Sequence, residues 1–105
     1  MNNIVCGLCA VFYRGPGADI DLQERGLIET VTADELVLTQ KGKDLLALYA
    51  PIERCNLCLQ HGYTLTAGFI INTLSIEELP SFLCHRNQWI RERAIKRFNK
   101  LMEAN

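Results

Sequence analysis

Four of the five cysteines form two C-x2-C pairs, Cys6 with Cys9 and Cys55 with Cys58. Two such pairs that meet in space provide the tetrahedral set of four thiolates that structural zinc prefers. The 45 residues between the pairs far exceed the ~15–20 of a simple zinc ribbon, so the fold itself would have to close the site. The pattern therefore indicates these four cysteines as candidate metal ligands, with zinc as the one cofactor that the sequence suggests.

Other interpretations of the cysteines stay open. A second ligand set draws on Cys55, Cys58, His61 and either Cys84 or His85. Zinc-knuckle pairs commonly carry a glycine directly after the second cysteine, whereas alanine and leucine follow these two pairs. Reduced cysteine also behaves as a small hydrophobic residue and is among the most frequently buried residue types. Inert core thiols are therefore the alternative to a metal site, and the apolar run around the first pair favours them.

The sequence offers little support for catalysis. Cys84 and His61 are a conceivable nucleophile and base, but no recognisable family signature surrounds them. Neither C-x2-C pair shows the turn that places a cysteine at a helix N-terminus and lowers its pKa for redox exchange. The chain also contains no P-loop, dinucleotide fingerprint or paired-carboxylate site. We therefore expect no catalytic residue and no enzyme activity.

A basic helix is predicted near the C-terminus, over residues 88–102, because apolar residues recur there at helical spacing. Residues 1–53 contain four Lys or Arg against eight Asp or Glu, whereas residues 54–105 contain seven against four. Any attraction to phosphate or to an acidic partner therefore belongs to the second half, and Trp89 stands at the start of this helix. The candidate binding residues are Arg91, Arg93, Lys96, Arg97 and Lys100. A solvated helix face is the alternative.

The composition predicts one soluble domain over residues 1–105. Hydrophobic residues make up 49% and charged residues 22% of the 105 residues, which is ordinary globular composition. No apolar run approaches the ~20 residues of a membrane helix, and the first residues lack the basic region of a secretory signal. These features favour a cytoplasmic protein without a membrane partner, in which the cysteines stay reduced.

The first half of the chain predicts helices around a hairpin. Residues 4–13 favour a helix, although their β-branched content also allows a buried strand, and a Gly-Pro-Gly turn follows at residues 15–17. A short helix over residues 18–25 ends at Gly26. Residues 27–31 and 36–39 are predicted strands that are joined by a polar tip.

The hairpin is predicted to lead into a longer helix. Thr39 is suited to cap a helix over residues 40–50, which ends at Pro51 and directs three leucines, Leu45, Leu46 and Leu48, toward the core.

The second half is predicted to be mainly helical. Residues 63–74 fit a strand and a helix about equally well, because their alternation gives way to a uniformly apolar run. Ser75 and Glu78 have the spacing of a capping box, and Pro80 keeps the helix that follows them short or kinks it.

Residues 20–50 resemble the back end of a winged-helix domain of the kind found in small bacterial transcription regulators. The resemblance rests on "GLIE" from Gly26, a polar wing, "LVLT" from Leu36, and the "KG" and "LL" of the following helix. It implies a recognition helix that a glycine closes, a two-stranded wing and a helix that often serves dimerisation. Only 24 residues precede Arg25, so one of the three usual helices is missing or replaced. The acidic residues before the wing argue against a recognition helix that enters a DNA groove, because the groove is lined with phosphates. They fit the use of winged helices as protein-docking units.

The stretch from residue 79 to residue 101 is similar to one HEAT-type helical hairpin, which we interpret as an ordinary helical hairpin packed on the rest. The predicted fold is therefore α+β, with a winged-helix-like unit over residues 1–50 and a mainly helical part over residues 51–105. The leading functional prediction is a small regulatory or adaptor protein that acts by protein contact on nucleic-acid-handling machinery. Direct DNA or RNA binding through the wing and the basic helix is the alternative, and a zinc-stabilised module is compatible with both. The acidic first half and basic second half also admit a homo-oligomer.

Overall fold

The fold is α+β, as predicted, with a two-stranded antiparallel hairpin among helices. A computed structural model of the chain describes residues 3–15, 20–32 and 35–104. The helices are α1 (Asn3–Cys9), which continues as a π-helical segment (Ala10–Arg14), α2 (Ile20–Glu24), α3 (Gln40–Ala47), α4 (Pro51–Gln60), α5 (Thr64–Asn72), a 3-10 helix (Leu79–Phe82) and α6 (Gln88–Glu103). The strands are β1 (Ile28–Thr32) and β2 (Glu35–Leu38).

The N-terminal helix confirms the helical prediction for residues 4–13. Val5, Leu8 and Val11 are buried, whereas the Phe12 side chain is 54% exposed. A π-helix has more residues per turn than an α-helix, so side chains in this segment point in different directions from those that α-helical spacing predicts. This accounts for the exposure of Phe12. Gly15 follows at φ 95°, and the rest of the predicted Gly-Pro-Gly turn lies outside the described residues.

Helix α2 ends at Glu24, one residue before the predicted end of the short helix of residues 18–25, and Gly26 terminates it as predicted; residues 18 and 19 lie outside the described part. Gly26 adopts φ 73°, a left-handed conformation that glycine accepts readily. Its N–H donates to the Gln23 carbonyl at 3.0 Å, and the Leu27 N–H donates to the Leu22 carbonyl at 3.0 Å. This is the Schellman arrangement, which turns the chain from α2 into the first strand.

The predicted hairpin is present. Its register pairs Ile28 with Leu38 and Glu29 with Val37, and a bulge follows Thr30. Ile28 and Leu38 are both buried, so one face of the hairpin belongs to the core. The two central residues of the predicted polar tip, 33 and 34, lie outside the described residues.

Thr39 caps α3, as predicted. Its hydroxyl accepts from the Gly42 N–H at 3.2 Å and donates to the Gly26 carbonyl at 2.6 Å, while its own N–H donates to the Leu27 carbonyl at 3.0 Å. The cap thus joins the start of α3 to the turn before the hairpin. Gly42 lies against the Leu27 carbonyl, where a Cβ atom would overlap the backbone.

The predicted end of α3 at residue 50 is wrong. The helix ends at Ala47, and Leu48 is 74% exposed instead of contributing to the core. Pro51 is the first residue of the next helix. N–H groups in the first turn of a helix have no intrahelical partner, so the N–H that proline lacks costs no hydrogen bond. The Ala50 N–H instead donates to the Glu53 carboxylate at 3.1 Å. Helix α4 has no counterpart among the sequence predictions.

Residues 63–74, for which strand and helix fitted equally well, form helix α5. The predicted capping box after it forms in part, because the Glu78 carboxylate accepts from the Ser75 N–H at 2.9 Å and from the Ser75 hydroxyl at 3.0 Å. This bonding lowers the pKa of Glu78. Only a single 3-10 turn follows, as the proline predicts, and α6 packs against both α5 and this turn.

The core lies where α1, α4, α5, α6 and the 3-10 helix meet. Its largest fully buried side chains include Leu8, Ile70, Ile71, Leu79, Phe82 and Ile90. Helix α6, confirmed over the predicted range, contributes Ile90 and Ala94. Asn87 caps its start, because the Asn87 side chain accepts from the Ile90 N–H at 3.1 Å. Within the described residues, no helix combines the length and hydrophobicity required to cross a membrane.

Candidate functional site

A basic groove lies between the end of α5 and the exposed face of α6. Its volume is about 260 Å³, and its lining residues are Asn72, Arg93, Lys96, Arg97 and Lys100. The four cations share one side of α6 because residues three or four apart lie next to each other on a helix. Among the described residues, no carboxylate lines this groove.

Arg93 is held in place at the floor of the groove. Its guanidinium carbon lies 4.9 Å from the centroid of the Trp89 ring, and its Nη2 donates to the Asn72 side-chain oxygen at 3.4 Å. The Arg93 Nε is buried without a hydrogen-bond partner. Gly68 makes this arrangement possible, because a Cβ atom there would lie 2.7 Å from the Trp89 ring. The position of the Arg93 charge is therefore fixed by packing.

Arg97 is anchored in a different way. Its Nε donates to the Leu74 carbonyl at 2.9 Å, just after α5 ends, which leaves the terminal nitrogens of the guanidinium for other acceptors. Lys96 and Lys100 are exposed. Across residues 3–15, 20–32 and 35–104, the single salt bridge joins Arg25 to Asp21 at 3.0 Å. None of the four groove cations is therefore neutralised by a carboxylate in the described structure.

One aromatic side chain, Trp89, lies beside the groove, where it contacts Arg93 and is 38% exposed. A second exposed aromatic residue of α5, Phe69, is 41% exposed and lies against the N-terminal segment, where the Arg14 guanidinium carbon is 5.6 Å from its ring centroid. Aromatic surface and positive charge thus meet at the groove through Trp89 and Arg93.

Comparison with protein-family models, with curated proteins and with solved structures found no match to this chain. The winged-helix resemblance of residues 20–50 therefore stays a prediction, and the functional conclusions depend on the geometry of the groove and of the cysteines.

The structure brings together four of the five basic residues that the sequence indicated. The fifth, Arg91, points away from the groove, where its Nη1 donates to the His85 carbonyl at 2.8 Å. Asn72 and Gly68 were not predicted from the sequence, because their place in the site depends on α5 being a helix. The only sequence signal for this element was the apolar run that ends at Asn72, and that run fitted a strand and a helix equally well.

The hairpin does not extend the basic groove. Its strands contain no Lys or Arg, and the exposed Glu29 and Glu35 give it a negative charge. Asp34, at the predicted wing tip, lies outside the described residues. Among the described residues, the hairpin strands therefore add no positive charge to the groove.

The two C-x2-C pairs meet inside the core. Cys6 and Cys9 lie on α1, Cys55 and Cys58 lie on α4, and these two helices pack against each other. Cysteines three residues apart share one face of a helix, so both pairs point into the same interface. All four side chains are fully buried.

The four thiols interact mainly with one another. Hydrogen bonding with the Cys9 thiol, followed by burial, raises the pKa of Cys58, while burial and then the charge of Cys58 raise the pKa of Cys6 to about 12. Burial also raises the pKa of Cys55 to about 12, and the Cys55 thiol donates to the Ala67 carbonyl at 3.9 Å. As the side chains are placed, no three or more His, Cys, Asp or Glu in the described part surround a common point as metal ligands would. These raised pKa values keep the thiols of Cys6, Cys55 and Cys58 protonated at neutral pH in this arrangement.

The second predicted ligand set is not assembled in the same way. The His61 Nε2 is buried without a partner, and Cys84 is exposed. Both ring nitrogens of His85 are occupied, since Nε2 donates to the Asn56 side-chain oxygen at 2.6 Å and Nδ1 accepts from the Asn87 N–H at 3.0 Å. His85 therefore orients the residue that caps α6.

Acidification is expected to weaken the fold through His85. Burial, followed by the charges of Arg86 and Arg91, lowers the pKa of His85 below 6.5. The unfolded chain therefore binds more protons than the folded chain as the pH falls below about 6.5, so the free energy of unfolding falls there by at most ~1.4 kcal/mol per pH unit. Urea unfolding at pH 7.5 and 5.5 measures this loss, and His85→Gln should make it smaller. An equal loss in the variant would contradict a role for His85.

Proposed function

We propose that this protein is a non-catalytic binding protein that holds single-stranded nucleic acid in the α5–α6 groove. The observation that carries the proposal is the convergence on one groove of four cations that no carboxylate pairs with among residues 3–15, 20–32 and 35–104, with an exposed tryptophan beside them. The groove cations contact phosphates, and Trp89 stacks on a base. This function corresponds to the nucleic-acid alternative of the sequence analysis, with α6 in place of the wing.

The spacing of the cations favours a short footprint on a strand. Arg93 and Lys100 are seven residues apart on one helix, which is roughly 10 Å along its axis. A span of this length reaches two to four phosphates of a flexible single strand. Arg93 and Arg97 are each held by a contact within the protein, so little side-chain freedom is lost when their remaining N–H groups bind phosphate.

The shape of the site favours a single strand over a duplex. Single-strand binding proteins combine a positively charged groove with aromatic side chains on which bases stack, and this stacking tolerates any base. A duplex is instead read by an element that protrudes into one of its grooves. Here the cations line a concavity, and the hairpin carries the exposed Glu29 and Glu35 without a Lys or Arg in its strands.

Protein contact, the leading prediction from the sequence, is the second candidate function. Leu65 and Phe69 are 59% and 41% exposed, and they lie one turn apart on α5. Exposed apolar residues on one helix face are suited to docking a partner. Leu65 lines a second pocket together with Arg14 and Thr66, so such a partner would dock beside Arg14 rather than in the basic groove.

Reversing one groove charge should weaken nucleic-acid binding. We expect Lys96→Glu to reduce the affinity for a single-stranded oligonucleotide about tenfold at low salt, because one phosphate contact becomes a repulsion. For the wild type with four phosphate contacts, a plot of the logarithm of the association constant against the logarithm of the salt concentration should have a slope of about −3. For the variant the slope should be about −2. Trp89 is the single tryptophan of the chain, so its fluorescence reports binding directly.

Lys43→Glu is the matched control, because Lys43 is an exposed lysine on α3 and the change in net charge is the same. We expect its affinity and salt slope to remain close to the wild-type values. A duplex of the same sequence serves as the second ligand and should bind more weakly than the single strand. The proposal fails if the folded wild-type protein shows no Trp89 signal and no binding at low salt. Capture of a protein partner that a Leu65→Glu variant loses would then support the adaptor function.

A further inference from the structure

The buried cysteine cluster carries an inference that is independent of the proposed nucleic-acid binding. We propose that Cys6, Cys9, Cys55 and Cys58 together bind one Zn²⁺ ion, which joins α1 to α4 inside the core. The site would be structural, because four protein thiolates leave no open position for a substrate.

The backbone brings the four donors to one helix–helix interface. Each helix contributes two cysteines at i and i+3, so each pair shares one face, and the helices that carry the two pairs are in contact. If the cysteines served only as small hydrophobic residues, other small apolar side chains would fill the core as well, and the cysteines would not be expected to face one another across one interface. Four of the five cysteines nevertheless lie at a single interface, each with no solvent exposure.

In the proposed site, side-chain rotation would bring the four thiols to a common ion. Zinc–sulfur bonds of about 2.3 Å in a tetrahedron require sulfur–sulfur separations of roughly 3.8 Å. The Cys58 thiol already interacts with the thiols of Cys6 and Cys9. Each cysteine has one side-chain torsion with three staggered positions, through which its sulfur can turn toward a shared ion.

Metal binding would change the charge of the cluster. It converts four thiols into thiolates and releases their protons to solvent, which leaves the zinc site with a formal charge of −2. Arg54, the residue before Cys55, donates to the Tyr13 hydroxyl at 2.8 Å and to the Tyr49 carbonyl at 2.8 Å. Tyr13 is close enough to Cys9 for their charges to interact, and the charge of Arg54 acts on both Tyr13 and Glu78. Arg54 is therefore a neighbour of this region rather than a direct partner of the thiols.

Native mass spectrometry of the reduced full chain, incubated with zinc alone, tests the proposal. We expect one bound zinc per chain, together with an increase in the thermal unfolding temperature, since an ion that binds the folded state stabilises it. The dissociation constant for zinc should be at least tenfold higher in Cys58→Ser than in the wild type. Cys84→Ser is the matched control, because Cys84 is the exposed fifth cysteine, and it should retain the ion.

The wild-type chain keeps the test decisive even if Cys58→Ser does not fold. A folded wild-type protein that stays at the metal-free mass in excess zinc, with no change in its unfolding temperature, would overturn the proposal. Equal loss of zinc from Cys84→Ser and Cys58→Ser would also overturn it. Saturation by Cu(I) without any binding of Zn²⁺ would show a thiolate site for a different ion and would refute the zinc assignment.

Discussion

Replacing Gly42 with alanine is expected to lower the free energy of unfolding by about 2–3 kcal/mol, although alanine is normally the better helix former by ~1 kcal/mol. The new Cβ atom would overlap the carbonyl oxygen of Leu27, and it would also come within 3.4 Å of the Leu38 side chain. Backbone cannot move aside as a flexible side chain does. The start of α3 would therefore have to separate from the hairpin.

Urea unfolding followed by circular dichroism measures this loss, with Lys43→Ala as the control on the exposed face of the same helix. The control should stay within about 0.5 kcal/mol of the wild type, because exposed helix positions tolerate alanine. A Gly42→Ala protein as stable as the wild type would show that α3 and the Leu27 turn are not in close contact in solution.

The hairpin and its junction with α3 could be predicted because their signals are local. Thr39 has the residue type of an N-cap and Gly26 that of a C-terminal glycine, and each performs that role within a few residues of chain. Helix α6 was predictable for a similar reason, since its apolar residues recur over four turns. Repetition and caps fix these elements without help from the rest of the fold.

The elements that the sequence did not resolve depend on tertiary contacts. Helix α5 has apolar residues on its exposed side as well as its buried side, among them Leu65 and Phe69, so its sequence shows no clear periodicity by which a helix could be distinguished from a strand. Pro51 is ambiguous in the same way, because proline is compatible with the end of one helix and with the first turn of the next. The structure settles both through packing that the local sequence does not encode.

The candidate sites show the same division. The basic residues of α6 were identifiable from sequence, but the groove needs Asn72 and Gly68 of α5, and the outward direction of Arg91 follows from its bond to the His85 carbonyl. The spacing of each C-x2-C pair was equally visible. The sequence allowed the two pairs to face each other without requiring it, because their meeting depends on how α1 packs on α4.

The position of α6, and with it the groove, depends on the 3-10 helix that precedes it. Phe82 is the largest of the fully buried side chains, and its segment packs against α6. The 3-10 helix lies in the connection between α5 and α6. This connection allows Gly68 to pack against the Trp89 ring and the Leu74 carbonyl to accept from Arg97. Phe82 fills the core at this connection and fixes the two helices relative to each other.

Phe82→Ala is therefore expected to lower the free energy of unfolding by about 3–5 kcal/mol, the usual cost when a large aromatic side chain is removed from a core. Domains of this size are stable by only about 5–15 kcal/mol, so a considerable part of the total would be lost. Urea unfolding measured by Trp89 fluorescence reports the change at the groove itself, and Leu83→Ala, a half-buried neighbour, should cost clearly less. If the cysteine interface and the groove belong to one cooperative unit, circular dichroism and Trp89 fluorescence should give the same midpoint in both variants. A loss below about 1 kcal/mol for Phe82→Ala would mean that α6 is positioned by contacts other than this core.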